Sequence, residues 1–188
     1  MIIRDARNGT AVSVTEHNEI RTSGVAFTMP HYEADTNSSV YLVTHKIAAP
    51  DTNLNNIVWL RNDDSDSNFK LVVSEIIVSA EANAEWEVYT GTTRSSGGGS
   101  LTPVNSNTTS SNTLLSTVYG SNISNFIGTT GSKYYFGQYT SVSFMPLELS
   151  WNDTLLLGYN STIGISCKTT TSTNIYINMI LVSHQNHT

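Results

Sequence analysis

Charge is scarce in this chain of 188 residues: Asp, Glu, Lys and Arg make up 13%, about half of the share near 25% usual in soluble domains. The nine basic residues are spread from Arg4 to Lys168 and the formal net charge is -6. A groove for nucleic-acid phosphates needs Lys and Arg gathered on one face, so nucleic acid is not an expected partner. One cysteine, Cys167, excludes an intrachain disulfide. Its setting, "IGISCKT", reads as a buried strand position. The longest aliphatic run, "MILV" at 179–182, is far below the roughly 20 residues that span a bilayer as a helix. The opening "MIIRDARNGT" lacks the apolar core of a signal peptide. No membrane partner is expected.

Neutral polar residues fill the gap, with Ser, Thr and Asn supplying roughly a third of the chain. Thr, Val, Ile and Tyr favour pleated strands, whereas Ser, Asn and Gly favour turns, so the composition describes many short strands joined by irregular connections. Residues 1–35 read as an N-terminal arm, weakly alternating around Val12, Val14, Ile20 and Val25. From residue 36 to 188 the chain reads as one domain. "SVYLVTHKI" (39–47) alternates, with Val40, Leu42 and Thr44 on one face and Tyr41, Val43 and His45 on the other, as a strand buried on at least one side. "NIVWLR", "FKLVVSEIIVSA" and "AEWEVYT" follow as a meander, the last with Trp86 and Val88 inward and Glu85 and Glu87 outward. Leu114, Leu115 and Val118 suit a short helical turn. The final third offers strands at 139–149, 154–160, 162–169 and 174–183, the last two pairs joined at hairpin length.

The stretch "RSSGGGSLTPVNSNTTSSNT" (94–113) could be an interdomain linker or a long loop. Each half of the chain offers about four strands and one uncovered sheet face. Two such sheets most simply cover each other. The expected fold is therefore all-β, a β-sandwich of jelly-roll type, with 94–113 as a long loop between the sheets. Within it, Gly97 to Gly99 give backbone freedom and Pro103 stiffens "LTPVN". Leu101, Pro103, Val104 and Asn105 are accordingly the expected interface residues.

Reactive constellations are sparse. Asp64, Asp66, Asn68 and Glu75 fall at positions 1, 3, 5 and 12 of a calcium loop, but the sixth position is Phe69 where the sharp turn needs Gly. Glu75 also lies within a strand-like run, about 20 Å further along at strand rise. Asp63, Asp64 and Asp66 are read as a solvated turn. Glu85 and Glu87 share one strand face and do not oppose each other across a substrate. "GTTGSK" (128–133) has two residues between its glycines where a phosphate loop has four. Among the histidines only His184 and His187 are close. No G-x-S-x-G occurs, and the seven N-x-S/T sequons are near chance in so polar a chain. No catalytic residue, metal site or cofactor is expected, and the chain is read as not an enzyme.

The succession "VTEHNEIRTSGV", "YLVTHKI", "IVWLRNDDSDSNFKLVVSEIIVSA", "EWEVYTGTTRSSGGGSLTPVN" and "LELSWNDTLLLGYN" resembles a group of tailed-bacteriophage virion proteins. Its most specific part is Thr90, Gly91 and Thr92, then Gly97 to Gly99, then Leu101 to Asn105. It departs at "SWNDT", where such sequences tend to carry a Pro-Gly-Asp turn. The resemblance implies a β-rich structural protein of the particle, assembled in the host cytoplasm. Its leading form is a head decoration (cement) protein that binds the major capsid protein lattice and stabilises the shell. A tail or fibre adhesin module binding a host surface glycan is the alternative. Strand edges with few protecting charges, in threefold surroundings, lead to the expectation of a homotrimer.

Overall fold

A computed structural model describes residues 3–4, 11–14, 20–21, 39–48, 52–53, 55–66, 69–124, 134–150 and 154–185. Fifteen strands and no helix occur among them: β1 (Ile3–Arg4), β2 (Ala11–Val14), β3 (Ile20–Arg21), β4 (Val40–Ile47), β5 (Asn55–Asn62), β6 (Phe69–Ala80), β7 (Ala84–Thr90), β8 (Ser96–Leu101), β9 (Val104–Asn105), β10 (Ser116–Ser124), β11 (Tyr134–Ser141), β12 (Leu147–Ser150), β13 (Leu156–Leu157), β14 (Thr162–Thr169) and β15 (Ile175–Gln185). The first three form a small antiparallel sheet within the expected arm. The rest build two antiparallel sheets that pack into a β-sandwich, as expected. One runs β11-β7-β14-β5-β10-β8 and the other β12-β6-β15-β4-β9, with β13 added beside β6.

Burial of one face of each sheet makes the sandwich. Ile57, Val58, Leu60, Trp86, Val88, Ile163, Ile165 and Cys167 from the first sheet meet Tyr41, Val43, Val73, Ile76, Val78, Ile177, Met179 and Leu181 from the second in one continuous core. Strict alternation would not place all of these inward. On β6, Leu71 and Val73 are odd-numbered while Ile76, Val78 and Ala80 are even-numbered, yet all belong to the core. The register of β6 against β15 shifts between Ile180 and Leu181. A bulge at that point adds one residue and restores the inward face. A second shift between Ile165 and Ser166 lets both Ile57 and Val58 of β5 reach the core. Trp86 is fully buried, and its indole N–H donates to Ser141 Oγ at 2.8 Å, which satisfies the single polar atom of the largest core side chain. Cys167 is fully buried as read, and burial pushes its thiol up to about 12.

Several local expectations are corrected. The segments β5, β6 and β7 do not form a meander, because β6 belongs to the opposite sheet. The short connections from β13 to β14 and from β14 to β15 are not hairpins either, since each joins one sheet to the other. Residues 116–124 continue as β10 rather than turning helically, because pairing with both β5 and β8 outweighs the local spacing of Leu114, Leu115 and Val118. The run 139–149 is two strands separated by a tight turn. The stretch 94–113 is not a loop leading from one sheet to the other: it leaves β7 and returns to β10 of the same sheet, and on the way supplies β8 as an edge strand of that sheet and β9 as an edge strand of the other. "GTTGSK", the middle of "SWNDT" and His187 lie outside the described residues.

Candidate functional site

Both ends of the sandwich carry features that packing alone does not require. β7 runs from Ala84 at one end to Thr90 at the other, and β14 runs back from Thr162 to Thr169. Seven residues at strand rise separate the two ends by roughly 20 Å.

At the first end the chain between β11 and β12 forms an apolar tip. Val142, Phe144 and Met145 are 60%, 73% and 60% exposed, three exposed apolar side chains within four consecutive residues. The tip is firmly held. The amide of Phe144 donates to Ala80 O at 2.8 Å and that of Met145 to Val142 O at 3.0 Å. Ser143 donates its amide to Asn83 Oδ1 at 3.0 Å and its hydroxyl to Glu81 O at 2.7 Å. Phe144 itself sits at φ 59°, a left-handed conformation that bulky residues seldom adopt. Glu81 ties the base of the tip to the β14–β15 connection by accepting from Asn174 Nδ2 at 2.8 Å, Tyr176 Oη at 2.8 Å and Thr173 Oγ1 at 3.2 Å. These donors, Asn174 first, hold the Glu81 carboxyl below its ordinary range, and the bond to Glu81 raises the Tyr176 phenol.

At the second end a cleft of about 800 Å³ opens between the turn after β7 and the segment 155–162, lined by Trp59, Arg61, Thr92, Arg94, Leu156 and Asn160 among others. It adjoins a row of outward-facing residues that crosses four strands in register, Tyr89, Gly164, Trp59 and Tyr119. Trp59 and Tyr119 lie 6.2 Å apart between ring centres. The Arg61 guanidinium lies 5.6 Å over Trp59 and that of Arg94 3.4 Å over Tyr119, in cation–π geometry. Both arginines are fixed from behind. Arg61 Nε is paired with Asp63, which also accepts from Thr117 Oγ1. Arg94 donates from Nε and Nη2 to Gly97 O at 2.9 and 2.7 Å. Gly97 and Gly98 adopt φ 77° and 76°, so the glycine run bends the chain in the direction that brings this carbonyl under Arg94. The floor is stitched by Thr162 Oγ1 donating to Thr92 O at 2.7 Å and by Asn62 Nδ2 donating to Leu157 O at 2.8 Å.

The expected interface residues are brought together only in part. Val104, 63% exposed, lies opposite the half-exposed Leu42 in the β4–β9 pair. Leu101 instead packs against the core, and Pro103 is half-buried. Asn105 organises the following turn, accepting from the Asn107 amide at 2.9 Å and donating to Asn112 O at 3.4 Å. Of the acidic run, Asp64 Oδ1 accepts from the Asp66 amide at 3.0 Å, a local turn. Asp63 is held by Arg61 and Thr117 rather than solvated. Glu75 lies far along β6, where burial first and Glu148 second raise its carboxyl.

The apolar tip was hidden in a run that reads as one strand. Pro146 was the available signal, because proline interrupts a strand interior. Nothing in the spacing of Arg61 and Arg94, 33 residues apart, announces that they line one cleft. Compared with protein-family models, with curated proteins and with solved structures, the chain finds no match.

Proposed function

We propose that the chain is a non-catalytic structural protein of a tailed-bacteriophage particle: a head decoration protein that docks on the shell as a trimer of jelly-roll-type sandwiches and strengthens the lattice. The sequence resemblance supports the particle. The observation that carries the docking is the tip at Val142, Phe144 and Met145. An aromatic anchor carried on backbone that hydrogen bonds already hold spares binding the cost of ordering the loop, and buried aromatic anchors dominate the energetics of protein interfaces. The neutral Ser, Thr and Asn surface around it suits a polar rim.

Co-sedimentation of the purified protein with assembled heads of the virus that encodes the chain, with its isolated tails as the comparison, tests the reading. Saturable binding to heads is expected, and Phe144→Ser should weaken it by about 30-fold, the effect of losing one anchor worth about 2 kcal/mol. Binding to tails alone would replace the decoration assignment. Affinity for neither would remove the particle assignment altogether.

A further inference from the structure

We propose that the cleft at the end opposite the tip is a binding site for an anionic saccharide, with Arg61 and Arg94 reading the acidic group. The inference goes beyond docking on a shell and does not depend on it. It gives the adhesin alternative a place in the molecule.

Four observations converge. The cleft, at about 800 Å³, lies within the roughly 300–1,000 Å³ of small-ligand sites and is far larger than a lone inorganic anion needs. Its lining combines an apolar wall of Trp59 and Leu155 to Leu157 with hydroxyl and amide groups from Thr90, Thr93 and Asn160. A pyranose presents the same combination, apolar C–H faces between polar edges. Two cations stand at the cleft in a protein of net charge -6. Asp63 offsets one of these charges through Arg61.

The fourth is pre-organisation. Among the described residues, Arg61 commits only Nε to Asp63, and Arg94 commits Nε and Nη2 to Gly97 O, while the faces of both rest near aromatic rings. Each therefore keeps terminal N–H groups for a ligand without having to be ordered first, and a planar guanidinium suits a carboxylate, sulfate or phosphate oxygen pair. A neutral sugar would leave these donors unanswered. Trp59 is only 6% exposed, so it forms the back wall of the cleft rather than a stacking platform. The acidic group, more than aromatic stacking, is then what the site selects.

Titration calorimetry with 3′-sialyllactose, a sulfated lactose and plain lactose, and with sodium sulfate alone, tests the proposal. At least one of the two acidic saccharides should bind about tenfold or more tightly than lactose and sulfate, and which one binds identifies the acidic group. Arg94→Gln should weaken that binding by about 10- to 100-fold, as expected for loss of charged hydrogen bonds. Leu156→Glu should abolish it: Leu156 is 54% exposed, so the variant keeps the fold and places a negative charge in the wall. Phe144→Ser, at the far end, should leave it unchanged, which separates this site from shell docking. Binding of neither acidic saccharide at about 10 mM, equal binding of lactose, equal binding of sulfate alone, or indifference to both cleft substitutions would overturn the proposal.

Discussion

Gly120→Ala should destabilise this protein, although the local backbone predicts the reverse. Gly120 lies on β10, buried, and is not among the residues at positive φ. With open space above it, alanine would stabilise by about 0.5–1 kcal/mol, because it restricts the unfolded chain. The space is occupied. A β-carbon there would lie 2.6 Å from His45 Cδ2, 2.7 Å from His45 Nε2 and 2.8 Å from Leu101 Cδ1. His45 cannot swing aside freely, because Nε2 is bonded to Ser121 Oγ at 2.6 Å. Ser121 is in turn held at φ 67° where β10 shifts register against β8. The methyl group therefore either overpacks the site, at about 1–3 kcal/mol, or displaces the ring and breaks that bond, at about 0.5–1.5 kcal/mol. Net of the alanine gain, the midpoint of the overpacking range leaves an expected loss of about 1 kcal/mol, a fall in Tm of about 2–4 °C for a chain of this size. Urea denaturation of the parent, Gly120→Ala, His45→Ala and the double variant provides the assay. The double variant should be about 1 kcal/mol more stable than the two single losses sum to, since each relieves the other. A Gly120→Ala protein as stable as the parent, or more so, would refute the reasoning.

Four other outcomes follow from the same structure. Burial lowers the His45 pKa from 6.5, so the neutral ring is favoured in the folded state; stability should be constant above that value and fall as pH drops from about 6.5 through the lowered folded pKa, and His45→Gln should flatten this part of a Tm–pH profile. Glu81, with its carboxyl held below 4.5, contributes stability above its unfolded pKa that is lost as pH falls through the folded one; Glu81→Gln should remove that acid limb. Phe144→Gly should leave stability unchanged or raise it by about 1 kcal/mol in thermal melts, because the side chain is 73% exposed and its φ of 59° suits glycine. Cys167 should react with a thiol reagent only at the rate of unfolding, its thiol being fully buried and raised to about 12.

Residue pattern alone sufficed for the class of fold and for many inward-facing positions. Alternation in "AEWEVYT" placed Trp86 and Val88 in the core and Glu85 and Glu87 outside, and Ile175, Ile177, Met179 and Leu181 share the buried face their spacing announces. These are local matters, set by a period of two along a strand with one wet face. Strand order was decided only by the tertiary structure: whether a short connection closes a hairpin or crosses to the opposite sheet depends on which edge is open when the chain returns, and "TTTST" looks the same in either case. The bulges on β5 and β6 were likewise illegible, because the extra residue is absorbed by a neighbour that lies far away in sequence. The glycine run showed its freedom but not its use. Only folding brings the Gly97 carbonyl to Arg94, Arg94 to the face of Tyr119, and Tyr119 beside Trp59 on an adjacent strand. A cleft assembled from three separate strand ends has no period for a sequence to display, and its chemistry exists only where the register of two strands places those side chains together.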